Sequence, residues 1–107
     1  MHRVYPLLDV RYGEPGGLLF PLGARLTGGQ MTMDADGRVV ALSVQSSDAE
    51  PGRDLAKRRR RNAPLDLYVS PLGHHRLVLR RARFHLHAAE DGFELILQDY
   101  DAAEPAE

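Results

Sequence analysis

An Asp-Gly dipeptide at residues 36 and 37 lies between two stretches in which apolar residues recur at every second position. Asp-Gly is a strong signal for a tight turn between antiparallel strands, and a period of two is typical of a strand that buries one face. A two-residue turn at this dipeptide places Met31 opposite Leu42 and Met33 opposite Val40. Because a slip of one residue would move these side chains to the other face, the pattern predicts a single register.

The C-terminal third predicts a three-stranded meander. A second Asp-Gly dipeptide at residues 91 and 92 predicts another hairpin, in which Leu86 faces Leu97. Upstream, the sequence Ser-Pro-Leu-Gly at 70–73 has the residue types of a type I turn. This turn would join a strand at 65–70 to a long strand at 76–88.

Residues 3–12 also alternate, with apolar side chains at the even positions, and predict a further strand. Pro6 has no N–H to offer a neighbour, so we expect this strand at an edge of the sheet. Pro21 and Gly23 interrupt the apolar stretch at 18–27, which predicts one short strand or two.

Together these elements predict an all-β fold, a small antiparallel barrel or sandwich of about six or seven strands. With 43% hydrophobic residues in a chain of 107, residues 1–100 are expected to form one domain with one core. Residues 46–64 have almost no apolar side chains and are expected to be one long Arg-rich loop between two β regions. Residues 101–107 offer nothing to bury and are expected to be a disordered acidic tail.

The chain contains no cysteine, which excludes disulfides, thiolate zinc sites, iron–sulfur clusters and a cysteine nucleophile. The N-terminal residues hold only two consecutive leucines before Asp9, far short of a secretion signal. No apolar run approaches the length of a membrane span, which is about 18 residues or more. We therefore expect a cytoplasmic protein that contacts no membrane.

Charge is sorted along the chain, although the formal net charge is only −1. Residues 53–83 carry ten Lys and Arg against two Asp, which gives +8, and the last eighteen residues carry seven acidic groups and no basic one. Charge that is separated along the chain in this way is informative about binding partners and not about the fold. A compositional bias is the alternative, because thirteen of the fourteen basic residues are arginine.

The basic segment contains five consecutive cations, a run that repels itself until an anionic partner neutralises it. On the predicted strand at 76–88, alternation brings further basic side chains to the solvent face. Both features favour a surface for an anionic partner, with nucleic acid as the leading candidate, whereas the alternatives are a solvated loop and an ordinary solvent face. The predicted contact residues are Lys57, Arg58, Arg59, Arg60, Arg61, Arg81, Arg83, His85 and His87.

Patterns that would indicate catalysis are missing from the sequence. There is no Gly-x-Ser-x-Gly nucleophile motif, and neither Gly-Gly pair precedes a helical pattern, so no phosphate-binding loop is predicted. His85 and His87 share a strand face, but the arginines beside them would repel a dication, so we expect no metal site.

These observations predict a non-catalytic binding module with no cofactor and no identified small-molecule substrate. Its partner would be an anion, and nucleic acid is the candidate we favour. The alternative is a structural subunit of a homo-oligomeric assembly, such as a phage or other bacterial particle. In that assembly the basic middle of one copy would meet the acidic end of the next.

Overall fold

The computed structural model describes residues 1–106 and shows a mostly β fold with one short helix. The elements are β1 (Arg3–Gly13), β2 (Phe20–Pro21), β3 (Leu26–Met33), β4 (Val39–Ser46), α1 (Ala49–Arg60), β5 (Asp66–Pro71), β6 (Leu77–Arg80), β7 (Arg83–Ala89), β8 (Gly92–Asp99) and β9 (Ala102–Pro105). Eight strands form a curled antiparallel sheet, a half-barrel, in the order β7-β8-β4-β3-β1-β5-β6-β9, and β2 pairs with β1. The predicted antiparallel β architecture is confirmed, but the predicted count of six or seven strands is too low.

β1 is a central strand and not the edge strand that Pro6 predicted. Its first half pairs with β3 and its second half with β5, and Pro6 lies where the pairing passes from one neighbour to the other. A register shift between Leu7 and Asp9 also reverses the alternation, so Leu7 and Val10 are buried whereas Leu8 is exposed. The predicted inward face of even positions is therefore correct only beyond this bulge.

β3 and β4 form the first predicted hairpin, and the predicted register is confirmed over its middle. Between the two strands the Asp34 N–H donates to the Arg38 carbonyl at 2.9 Å, so the turn encloses three residues, 35–37, instead of two. Gly37 ends this turn with a positive φ of 81°, and a bulge follows. Met33 consequently faces Val39 rather than Val40. Val39 is buried and Val40 is 47% exposed, the reverse of the prediction.

β7 and β8 form the second hairpin, but its turn lies at residues 90 and 91 instead of 91 and 92. Leu86 therefore faces Leu95 rather than Leu97. Gly92 is the first residue of β8, and close packing rather than a turn explains it, since a Cβ there would overlap the carbonyl oxygen of Ser46 on β4. The Asp-Gly dipeptide therefore lies next to a hairpin turn, as predicted, but its glycine belongs to β8 and not to the turn.

The predicted strand at 76–88 is two strands, β6 and β7, which lie toward opposite ends of the sheet. The chain bends at Arg81, whose φ of 51° lies in the left-handed region. The buried carboxylate of Asp66 accepts a hydrogen bond from the Arg81 N–H at 3.0 Å, and the Ala82 N–H donates to the Leu65 carbonyl at 2.8 Å. The predicted meander is therefore wrong, because β6 pairs with β5 and β9 whereas β7 pairs with β8.

Residues 49–60 form the helix α1 instead of part of the Arg-rich loop predicted for 46–64. Asp48 caps the first turn by accepting a hydrogen bond from the Glu50 N–H at 3.1 Å. Asn62 ends the helix with a left-handed φ of 56°, and the N–H groups of residues 62 and 63 bind the carbonyls of residues 59 and 58. The basic last turn also faces the negative end of the helix dipole, so these cations stabilise a helix rather than extend a loop.

α1 is held from two sides of the half-barrel. It packs on β7 and β8 through Leu55, which is completely buried, and through Gly52, where a Cβ would lie 2.7 Å from the Phe93 ring. From β1, the buried Tyr12 hydroxyl donates a hydrogen bond to the Asp54 carboxylate at 2.7 Å. Burial, together with this hydrogen bond, raises the pKa of Tyr12 well above its ordinary value. The orientation of α1 on the sheet is therefore fixed.

The acidic end contains a strand and is not the disordered tail predicted for 101–107. β9 pairs with β6 at one edge of the sheet, and its Glu104 accepts a hydrogen bond from Arg80 Nε at 3.0 Å. The exposed edge strand also contains Pro105, which has no N–H for a further strand. Backbone pairing thus orders a strand whose residues are all exposed, and Glu107 lies outside the described residues.

Candidate anion-binding site

The nine predicted contact residues lie on two adjoining parts of the molecule. Five of them, at 57–61, follow one another in the last turn of α1 and its C-cap, and four, at 81, 83, 85 and 87, belong to the β6–β7 bend and to β7. Arg59 joins the two parts, because its Nη1 donates a hydrogen bond to the Phe84 carbonyl of β7 at 2.7 Å. The structure thus brings the C-terminal end of α1 next to β7.

The run of five cations does not form one face, because successive helical residues are about 100° apart. Arg58 lies over the Phe20 ring of β2, and Arg59, although exposed, donates a hydrogen bond to β7. The solvent-facing cations of α1, which we call the α1 strip, are Arg53, Lys57, Arg60 and Arg61. All four are exposed, and no carboxylate within residues 1–106 forms a salt bridge with them.

Arg53 is the member of the α1 strip that the sequence prediction left out. Its spacing of four and seven residues from Lys57 and Arg60 places the three on one face of a helix. This spacing places the three residues on one face only if the segment is a helix. Because a loop was predicted, Arg53 was not grouped with the other two. The cap residues Asp48 and Asn62 were the available signal for the helix.

Arg58 is compensated within the fold. Its Nε binds Asp54 at 3.0 Å, its Nη1 binds Glu14 at 2.8 Å, and its guanidinium lies 5.0 Å from the centroid of the Phe20 ring. The hydrogen bond to Asp54 raises the pKa of Arg58. Burial favours the neutral form of Asp54, but hydrogen bonds from Tyr12 and Arg58 outweigh it and hold the pKa of that carboxyl below its ordinary value. Arg58 therefore ties α1 to β1 and β2.

β7 shows the predicted exposed positions, but carboxylates accompany two of them. Arg83 Nη2 binds both Asp101 and Asp99 at 2.9 Å, and these bonds raise the pKa of Arg83. His87 lies directly opposite Glu94 of β8. The predicted row of cations is thus partly neutralised by the same chain, and the acidic end meets β6 and β7 rather than the run at 57–61.

A cleft of 630 Å³ opens where the end of α1, the β6–β7 bend and β7 meet. Arg59, Arg81, Arg83 and His85 line it, and Asp101 is the carboxylate in its lining. Asp101 and, from outside the lining, Asp99 both bind Arg83, whereas Arg59 and Arg81 form no salt bridge within residues 1–106. The cleft therefore gathers four of the nine predicted residues around one space.

Arg81 lies in this cleft with an unusual backbone conformation. Its φ of 51° is one that glycine adopts freely and that residues with a side chain rarely adopt. Asp66, which is 1% exposed, holds the bend through the Arg81 N–H and also binds Arg80 Nη1 at 2.8 Å. The hydrogen bonds that Arg80 donates to Asp66, Glu104 and Tyr68 raise its pKa. An arginine is thus kept at a position that favours glycine.

No family model matches the chain, and no significant match occurs among curated proteins or among solved structures. None of the helices in the described part of the chain is long and apolar enough to cross a membrane. Among residues 1–106, no three His, Cys, Asp or Glu side chains gather in a way that could hold a metal ion.

Proposed function

We propose that the protein is a non-catalytic module that binds an anionic partner and that this partner is nucleic acid. The observation that carries the proposal is the α1 strip, three exposed cations on one face of a helix whose orientation is fixed and a fourth at its C-cap. Carboxylates of the same chain compensate Arg58, Arg80 and Arg83, which separates these arginines from the strip. Because Asp99, Asp101 and Glu104 are thereby engaged, we favour nucleic acid over a second copy as the partner.

The dimensions of the α1 strip suit a phosphate backbone. Its first and last residues are eight positions apart, or about 12 Å along the helix axis. Phosphates of one strand recur about every 3.4 Å along a duplex, so the strip can face several of them. Since the helix holds these cations in place before the partner arrives, little backbone ordering opposes binding.

The aromatic side chains favour backbone contacts over contacts with the bases. Proteins that bind single strands by stacking expose aromatic rings, whereas every Phe and Tyr of this chain is buried or half-buried. Phosphate contacts fix the position of a nucleic acid without reading its sequence. We therefore expect binding that depends strongly on salt and weakly on sequence.

The test is fluorescence anisotropy of a labelled duplex at increasing salt, beginning at about 50 mM, where electrostatic binding is strong. The triple variant Lys57→Gln/Arg60→Gln/Arg61→Gln should flatten the slope of log affinity against log salt by about 2 to 3, because each phosphate contact contributes about 0.9. The variant should remain folded but melt at a somewhat lower temperature than the parent, because the three side chains are exposed and each contributes about 0.3 to 1 kcal/mol through the helix dipole at low salt.

The matched control, Arg3→Gln/Arg38→Gln/Arg76→Gln, removes the same charge from exposed positions outside α1 and the cleft. It should leave the salt slope close to that of the parent. An equal loss in the control would show that binding depends on net charge alone and not on the α1 strip. A parent with no affinity for duplex or single strand at about 50 mM salt would overturn the proposal.

A further inference from the structure

We infer that the cleft beside α1 is a site for a phosphomonoester, carried by the end of a nucleic-acid strand or by a free nucleotide. The inference deepens the proposed function and rests on it for the rest of the strand, which the α1 strip would hold. The two surfaces are continuous, because Arg61 of the strip is followed directly by Asn62 of the cleft lining. A strand that lies along α1 therefore leads into the cleft.

Charge favours a phosphomonoester over a phosphate within a strand. Within residues 1–106, Arg59 and Arg81 of the lining form no salt bridge, whereas Asp101 and Asp99 both bind Arg83. A phosphate with one ester bond carries about −1.5 to −2 at pH 7, whereas a phosphate inside a strand carries a single negative charge. A phosphomonoester can therefore pair with both of these free arginines, whereas a phosphate within a strand balances only one of them.

The donors of the cleft are already positioned. Arg59 uses Nη1 to bind the Phe84 carbonyl at 2.7 Å, which orients its guanidinium and leaves the other N–H groups available. Guanidinium groups bind phosphate with two parallel hydrogen bonds, so a held arginine is suited to this anion. His85 lies in the same lining, one residue after the carbonyl that holds Arg59.

The backbone at Arg81 gives an independent reason to expect a ligand. A left-handed φ of 51° is strained for an arginine and unstrained for glycine, and such strained residues concentrate at functional sites. The bend itself needs only the backbone N–H that binds Asp66. The arginine side chain is thus unnecessary for the fold, and its presence in the cleft is explained if it contacts a ligand.

The size of the cleft leaves room beyond the phosphate. Its 630 Å³ lies within the range of about 300 to 1,000 Å³ that is typical of small-molecule sites. Ala63, Pro64 and Leu65 contribute an apolar side to the lining. A sugar and part of a base can therefore accompany the phosphate.

The test is isothermal titration calorimetry with three probes: a 12-nucleotide strand phosphorylated at both ends, the same strand with hydroxyl ends, and AMP. The parent should bind the phosphorylated strand about tenfold more tightly than the hydroxyl strand. Arg81→Gly should abolish this preference while the melting temperature stays equal or rises, because glycine relieves the strain. Arg81→Asn removes the guanidinium and tolerates the same φ, so it should also abolish the preference.

Arg76→Gly removes an exposed arginine outside the cleft and should leave the preference intact. Equal affinity of the parent for both strands overturns the inference and leaves the proposed function standing. If AMP binds and neither strand does, the cleft is a free-nucleotide site and the proposed function fails instead. AMP binding much weaker than binding of the phosphorylated strand identifies the strand end as the source. Retention of the tenfold preference by Arg81→Gly and Arg81→Asn also contradicts the inference.

Discussion

Leu55→Ala tests whether α1 is docked as the structure shows. Leu55 is the one fully buried side chain of the helix, and replacing a buried leucine by alanine costs about 2 to 5 kcal/mol. Contacts on both sides of α1 prevent the helix from settling into the space left behind, so we expect the upper half of that range, about 3 to 5 kcal/mol. The helix itself is not weakened, because alanine forms helices at least as well as leucine.

The measurement is urea unfolding followed by far-UV circular dichroism and by fluorescence of the four tyrosines, since the chain has no tryptophan. The transition midpoint should fall while the slope with denaturant stays constant. Lys57→Ala, an exposed change in the same helix, is the control and should stay within about 0.5 kcal/mol of the parent. A loss below about 1 kcal/mol for Leu55→Ala would refute the docking and, with it, the fixed orientation of the α1 strip.

Two further predictions concern the sheet and the attachment of α1. Gly92→Ala should destabilise the protein by about 1 to 3 kcal/mol, because the new Cβ overlaps the Ser46 carbonyl and forces β4 and β8 apart. Thermal unfolding measures this loss, and an unchanged melting temperature would contradict the register of β8. In the fold the pKa of Tyr12 is raised, so parent stability should fall above about pH 10 by up to about 1.4 kcal/mol per pH unit from this group. Tyr12→Phe lacks this contribution, so urea titrations should show the two proteins converging between about pH 9 and 11, and a parallel decline contradicts the prediction.

Antiparallel strands could be predicted from the sequence where the local alternation of apolar residues alone determines the pairing. The middle of the β3–β4 hairpin follows from the alternation of apolar residues, and the register at Met31 and Leu42 was predicted correctly. The bulge in β1 could not be predicted, because it depends on the change of neighbour from β3 to β5. The bend at Arg81 was missed for a related reason, since turn rules look for glycine or asparagine and the chain uses an arginine held by Asp66.

The candidate site was predictable as a list of basic residues but not as a geometry. Arg58 and Glu14 are separated by 44 positions, and Arg83 meets acidic residues 16 and 18 positions away. Which cations remain uncompensated therefore depends on tertiary contacts. Which residues of the run at 57–61 contact the sheet and which face solvent depends on the helix α1. Its cap residues, Asp48 and Asn62, are visible in the sequence, but the segment was predicted to be a loop.

Pro105 has a consequence for whether copies of the protein can join edge to edge. A strand that adds to the edge of β9 finds one backbone donor missing in a segment of only four residues. Growth of the sheet from one chain to the next is therefore disfavoured at this edge. If copies lie side by side along a nucleic acid, as the proposed function implies, the β9 edge would not join them into a shared sheet.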